Sequence, residues 1–316
     1  MRKLLVSAAA VLGLAASTLS ATAQDWTPPG PIKLMIAFAA GGGADTQARL
    51  IAEELEARTG WQFIPEQVTG KGGVNLLAAM KDAPNDGSVI GMVVAESLGY
   101  NLFVANTGMT PADFTPITST AGTQMGIVSL SSKGWTTLSD VIDAAKGGEA
   151  IRFGTMSARL SDIAYLLGQA QGVDFNIVQV RGGRAVMNGV NAGDMDVGFM
   201  AGIQAGGVAA GDLVNLASAM AEPLTQTPDA PLIGEFGVAY DATAVFMFAG
   251  PGGMPVEARD ALASAIGEVV SDPETKVGAL VQRAFGGALL IQGDALAAMV
   301  AQDFADAETL LNEVSQ

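Results

Sequence analysis

The chain has 316 residues, 49% of them hydrophobic and 15% charged. That balance belongs to a compact globular protein and excludes global disorder. Its 16 basic residues against 32 acidic ones leave a net charge of −16, which repels nucleic acid and anionic membrane surfaces. It contains neither cysteine nor histidine, so it has no disulfide framework and lacks the commonest general base, neutral metal ligand and pH switch.

Residues 1–23 read as a secretory leader: Arg2 and Lys3 precede an apolar stretch of roughly 13 residues, and Ala21-Thr22-Ala23 forms an A-x-A cleavage signal. Cleavage is expected after Ala23. The apolar stretch is shorter than the roughly 20 residues that a bilayer-spanning helix needs, so a membrane anchor is disfavoured. Export without disulfides fits the periplasm best. Loss of Arg2 and Lys3 leaves 14 basic residues against 32 acidic ones, a net charge of −18.

Residues 33–38 form the first predicted strand. Gly41, Gly42 and Gly43 follow, and residues 46–58 make a helix with Ala48, Ile51, Ala52 and Leu55 on one face. Next come "WQFIPEQV" as a strand, "TGKGG" as a loop, "VNLLAAMKDA" as a helix, "PNDG" as a turn and "SVIGMVVA" as a strand. The order recurs downstream. "AIRFG" reads as a strand, "TMSARLS" as a loop and "DIAYLLGQAQ" as a helix; "FNIVQV" leads through "RGGR" to a short helix in "AVMNGVNAG" and the strand "DMDVGFMA". From Ala244 the chain gives the strand "AVFMFAG", the loop "PGGMP" and three helical segments from Val256 to the end, with Asp294 an N-cap candidate for the last.

Strand, paired glycines and amphipathic helix therefore occur in both halves. Two related α/β lobes account for this most simply, a single larger sheet being the alternative. The expected first lobe holds residues 24–123 plus 244–316 and the second holds 124–243.

The glycine loops suggest an anion site. The first N–H groups of a helix have no intrahelical acceptor and lie at the positive end of its dipole, and a loop without side chains lets an anion reach them. Gly41, Gly42 and Gly43 provide that access, with Ala44 beside them and Asp45 expected as the N-cap of the helix. In the second half Gly154 would permit close approach, Thr155, Ser157 and Ser161 offer hydroxyls, and Arg159 adds a charge. Arg181 and Arg184 flank Gly182 and Gly183 and could line a cleft; solvent exposure is the competing reading. Glu96 and Ser97 follow a strand at the end where open α/β sheets place ligands, although exposure is the simpler fate for Glu96.

Other chemistries are weakly supported. No phosphate-loop motif occurs, a hydrolytic triad lacks its base, and no acidic cluster has metal-loop spacing, so neither a catalytic residue, a cofactor nor a metal is expected. An exported sensor feeding a signalling partner, or a carboxylate-dependent exported enzyme, are the alternatives to a binding protein.

"PIKLMIAFAAGGGADTQAR", "PEQVTGKGG", "APNDG", "VRGG", "GDMDVGFM" and "FAGPGGMPVEARDALASAIGEVVSDPE", in this order, resemble the substrate-binding proteins of tripartite tricarboxylate transporters, the Bug family. The likeness spans the expected mature chain. It implies a periplasmic binding protein fold of type II, two similar α/β domains closing on a small carboxylate solute, which the receptor hands to membrane permease subunits. A monomer without cofactor is expected. The family pattern assigns the ligand to the first glycine loop, here Phe38, Ala39, Ala40, Gly41, Gly42, Gly43, Ala44 and Asp45, and to a second-domain loop, here Gly154, Thr155, Ser157, Arg159, Ser161 and Asp162. The turn Arg181, Gly182, Gly183 lies nearby, and Ser97 joins the set from its strand end. Many relatives carry prolines where Ala39 and Ala40 stand and a histidine near Asp162, so Arg159 is expected to replace part of the lost donor set.

Overall fold

The computed structural model describes residues 26–314; the expected leader and its cleavage site lie outside the described residues. In chain order the elements are β1 (Ile32–Ile36), α1 (Gly43–Thr59), β2 (Phe63–Gln67), α2 (Val74–Met80), β3 (Val89–Val94), α3 (Ala95–Leu98), α4 (Tyr100–Val104) and β4 (Phe114–Gly122). They continue with β5 (Met125–Leu130), α5 (Leu138–Lys146), β6 (Arg152–Thr155), α6 (Ala158–Gln171), β7 (Asn176–Gln179), α7 (Gly183–Ala192), β8 (Val197–Ala201), α8 (Ala205–Ala210) and β9 (Leu213–Ser218). The chain ends with β10 (Val245–Pro251), α9 (Val256–Ser271), α10 (Lys276–Phe285) and α11 (Gly293–Val314).

Two five-stranded sheets form, in the orders β2-β1-β3-β10-β4 and β7-β6-β8-β5-β9. In each, three parallel strands are followed by an antiparallel fourth: β10 beside β3, and β5 beside β8. The repeat read in the sequence is thus a repeat of topology, and the fold is two-lobed rather than one large sheet. The chain leaves the first sheet after Gly122, enters the second at Met125, and is back in the first by Val245.

Helices cover both faces of both sheets, which explains the nearly unbroken apolar runs of β1 and β3. On one face of the first sheet, Ile51 and Leu55 of α1 meet Leu262 and Ile266 of α9 and Val281 of α10. On the other, Leu76, Leu77 and Met80 of α2 pack with Leu296 and Val300 of α11. Each such side chain, fully removed from water, contributes about 1.5–3 kcal/mol. The second sheet is covered by α5 and α6 on one face and α7 on the other.

Strand β4, "FTPITSTAG", has no sustained apolar run and is not predicted, yet Thr118, Ser119 and Thr120 are fully buried. Their hydroxyls are satisfied: Thr120 donates to Gln47 at 2.7 Å, Ser119 accepts from the Ile291 amide at 2.7 Å, and Thr118 accepts from Gln292 at 3.3 Å. The segment before α11 therefore seals this edge of the sheet. α11 starts at Gly293, one residue before the expected cap, Asp294.

Candidate functional site

Between the lobes, at the carboxyl ends of the parallel strands, lies a cavity of about 60 Å³. A single water needs about 10–15 Å³. The N-termini of α1, α6 and α7 all reach its wall, through Gly42, Gly43 and Ala44, through Ser157 and Leu160, and through Gly182 and Gly183.

The first loop is held open by its own side chain. Gly42 is the N-cap of α1 and offers no side-chain acceptor, so the amides of Gly43 and Ala44 have no partner. Asp45 is not the cap. It stands in the first turn of the helix, and its carboxylate reaches backward to accept the Gly41 amide at 2.8 Å while also accepting from Arg49 at 2.8 Å and Gln67 at 2.9 Å. Gly41 makes this reversal with φ of +72°, a conformation that costs a residue with a β-carbon about 1–2 kcal/mol. The amide of Gly42 is occupied as well, donating to Ala39 at 3.2 Å, so the free donors are those of Gly43 and Ala44 and not Gly42.

The second lobe departs further from expectation. The predicted loop at residues 155–161 is largely helix, because Ser157 caps α6 by accepting the Leu160 amide at 3.2 Å. Thr155 and Ser161 spend their hydroxyls on each other at 2.7 Å, and Ser161 also donates to the Ser157 carbonyl at 3.1 Å. Gly154 faces the lobe interior, where a β-carbon would stand 2.4 Å from the Met195 sulfur. Arg159 does not line the cavity: it donates to the Asp241 carbonyl at 3.0 Å, lies 3.8 Å from Asp303 of α11, and acts on the Glu96 carboxyl behind the wall. Asp162 accepts the Tyr100 hydroxyl across the lobe interface and does not line the cavity. Of the six residues expected from this segment, Ser157 alone is on the cavity wall.

α7 also brings amides to the cavity. Gly182 caps that helix at φ of +91° with its α-carbon turned to Phe38 and Ala39, and the amides of Gly183 and Arg184 have no acceptor. Arg184 bridges the cleft, giving two bonds to the Gly41 carbonyl at 3.1 and 2.7 Å. Arg181 lies in an adjoining chamber of about 260 Å³, with Lys71 on its opposite wall. Phe38 and Ala39 belong to both lobes' meeting surface, whereas Ala40 is exposed and Gly41 is withdrawn from the cavity by Arg184. Ser97 is fully buried behind the wall, its hydroxyl unpartnered beside Gly73.

Further wall residues are Asn101, Thr123, Met125 and Phe246, which no sequence pattern singles out, and Glu96, for which exposure is the simpler reading. Glu96 is 5% exposed, against the expectation of a solvated side chain, and accepts from Asn101 at 2.8 Å. Burial pushes its carboxyl above the usual range, and Arg159, Ser157 and Asn101 oppose that shift. Its place just past β3 was the available signal; Thr123 and Phe246 sit at the two crossings between sheets, which no local pattern marks.

The sequence profile of the tripartite tricarboxylate transporter family receptor, TctC, matches residues 47–287. The chain belongs to this family. It is a solute receptor, a binding protein and not an enzyme. Among curated relatives, a UPF0065 protein from the TAR-I ttuE-ttuC' intergenic region of Agrobacterium vitis is 26% identical over 262 residues, covering 80% of this TctC receptor and 75% of the relative. Among solved structures, MatC from Rhodopseudomonas palustris with bound malate is similar at a TM-score of 0.78 with 19% identity, covering 90% of this chain and 100% of that one. The R. palustris protein Rpa4515 with adipate is similar at 0.79 with 23% identity, covering 92% and 99%. These two likenesses establish that the TctC receptor has their two-lobed fold. Among its described residues no helix is long and apolar enough to cross a membrane, and no group of three acidic side chains is placed to hold a metal ion.

Proposed function

We propose that this receptor captures a small carboxylate in the periplasm and presents it to the membrane subunits of a tripartite transporter. The observation that carries the reading is the meeting of two helix N-termini, α1 and α7, with unpartnered amides on opposite sides of one cavity. An anion placed there is held by both lobes at once, each charge-assisted bond contributing about 1.5–3 kcal/mol. Closure follows from binding, because the ligand meets both sets of donors only when the lobes are together. That MatC and Rpa4515 bind malate and adipate supports a carboxylate as the ligand class.

The residues proposed to contact the ligand are Phe38, Ala39, Gly43, Ala44, Ser157, Gly182 and Gly183; Arg181 stands at the edge of the site. In the same proposal, residues 24–123 with 244–316 form one lobe and 124–243 the other, the leader is removed after Ala23, and the mature protein is a monomer. A thermal-shift screen of mono- and dicarboxylates against the mature chain tests the reading, since a ligand that binds the native state alone raises the melting temperature with its concentration. At least one acid is expected to shift the transition. A panel of acids that leaves it unmoved while a non-anionic solute shifts it overturns the proposal.

A further inference from the structure

The cavity has two walls of opposite hydrogen-bonding character. The wall built from α1 and α7 presents N–H donors. Glu96 of α3 and Asn101 at the start of α4 belong to another part of the lining and bring acceptor oxygens there. There Asn101, 4% exposed, commits its amide nitrogen to two oxygens, Glu96 Oε1 at 2.8 Å and the Gly72 carbonyl at 3.2 Å. Those two acceptors fix the orientation of the amide and leave its Oδ1 buried without a partner. Thr123 Oγ1 is a second buried, unpartnered polar atom on the same cavity.

A ligand with nothing but carboxylates satisfies the donor wall and fails the other. It brings more acceptors to Asn101 Oδ1 and like charge to Glu96. The occupant that completes both walls has an anionic end and an end rich in N–H donors.

We propose that the ligand is zwitterionic: its carboxylate sits on the free amides of α1 and α7, and its positively charged nitrogen is received by Glu96 and Asn101. This rests on the carboxylate reading above and narrows it to amino acids and similar acids bearing a cationic nitrogen. Glu96 is the recognition residue, and Asn101 positions it while supplying a second acceptor.

The surroundings of Glu96 fix the direction of proton exchange. Arg159 of α6, Asp303 of α11, Tyr100 of α4 and the capping hydroxyl of Ser157 all act on this region. One guanidinium thus serves the carboxyls of both Glu96 and Asp303, and each of these carboxyls is raised by burial. A ligand cation beside Glu96 favours its ionised form, so binding releases a proton wherever the empty site holds Glu96 protonated. A dicarboxylate in the same place would require Glu96 to be protonated, and its binding would take a proton up.

The test is isothermal titration calorimetry of the mature protein with matched pairs: aspartate and succinate, glutamate and glutarate, phenylalanine and its deaminated analogue. Each titration is run in two buffers of different ionisation enthalpy. The nitrogen-bearing member of at least one pair is expected to bind about tenfold tighter or better, with proton release, and Glu96→Gln to bring that pair within about threefold. The wild-type comparison stands alone if the variant folds poorly. Equal or tighter binding of the deaminated acid, with proton uptake, overturns the inference and leaves the carboxylate reading intact. Failure of every acid here and in the thermal-shift panel, while a non-anionic solute binds, overturns the carboxylate reading, and this inference with it.

Discussion

Asp45 shows how one side chain can shape a binding loop without touching the ligand. Its carboxylate takes the Gly41 amide, which bends the loop back and leaves the next amides facing the cavity. With 5% of its side chain exposed, it is also the acceptor for Arg49 and Gln67. Asp45→Ala is expected to lower stability by about 1–3 kcal/mol, since it strips the acceptor from a partly buried amide, and to weaken ligand binding as well. Chemical denaturation together with calorimetry checks both; a variant with unchanged affinity would mean that the loop keeps its shape without the carboxylate. Arg159 teaches the complementary lesson. Its charge in a glycine-and-serine segment reads as a ligand donor, but the side chain is long enough to reach Asp241 and Asp303 instead.

Strands β6 and β8 are joined at their entry by an ion cluster that no sequence motif announced. Asp196 accepts from Arg152 through both carboxylate oxygens and from Lys133 at 2.6 Å. Burial would raise its carboxyl, but the bonds from Arg152 and Lys133 outweigh it and hold the group far below the usual range. A depressed native value means stability that is present above the ordinary 3.8 and lost as pH falls toward the native value. Asp196→Asn should therefore cost about 1–3 kcal/mol at neutral pH, reduced from the cost in a dry interior because Arg152 and Lys133 are about one-third exposed. Urea unfolding at pH 7 and at about pH 3 checks this: the gap between the variant and the parent should narrow at the lower pH. The same lobe shows why α6 starts before its predicted position. A serine at the right offset caps a helix and is spent in doing so.

The lobes meet through polar bonds and through an apolar cluster in which Tyr100, Ala307 and Leu310 pack with Ala158, Leu166 and Tyr240. Arg184 to Gly41 and Tyr100 to Asp162 cross the interface, and Tyr240 donates to Glu313 of α11 at 2.6 Å. Contacts made only on closure bias the open–closed equilibrium, and ligand affinity follows the closed population. Arg184→Ala is therefore expected to enlarge the radius of gyration of the unliganded protein and to weaken binding by about tenfold, equivalent to one bond of about 1.4 kcal/mol. Small-angle scattering with and without ligand checks the first. An unchanged scattering curve would show that Arg184 does not help to hold the lobes together.

Much was settled by short-range order along the chain. The repeated strand–glycine–helix pattern, the bare amides after Gly42 and the order of landmarks across the whole length identify the two-lobed receptor and its first loop, because helix starts and strand periods depend on neighbours a few residues apart. The second half of the site was decided by packing. Which residues of the α6 and α7 starts reach the cavity, and whether Thr155 or Arg159 faces it, depends on the strand order of the second sheet and on which side chains find partners across the lobes. Glu96 follows the same logic: nothing local distinguishes a solvated glutamate from a buried one, and its burial comes from residues distant in the chain, Ser157 and Arg159 of the second lobe among them.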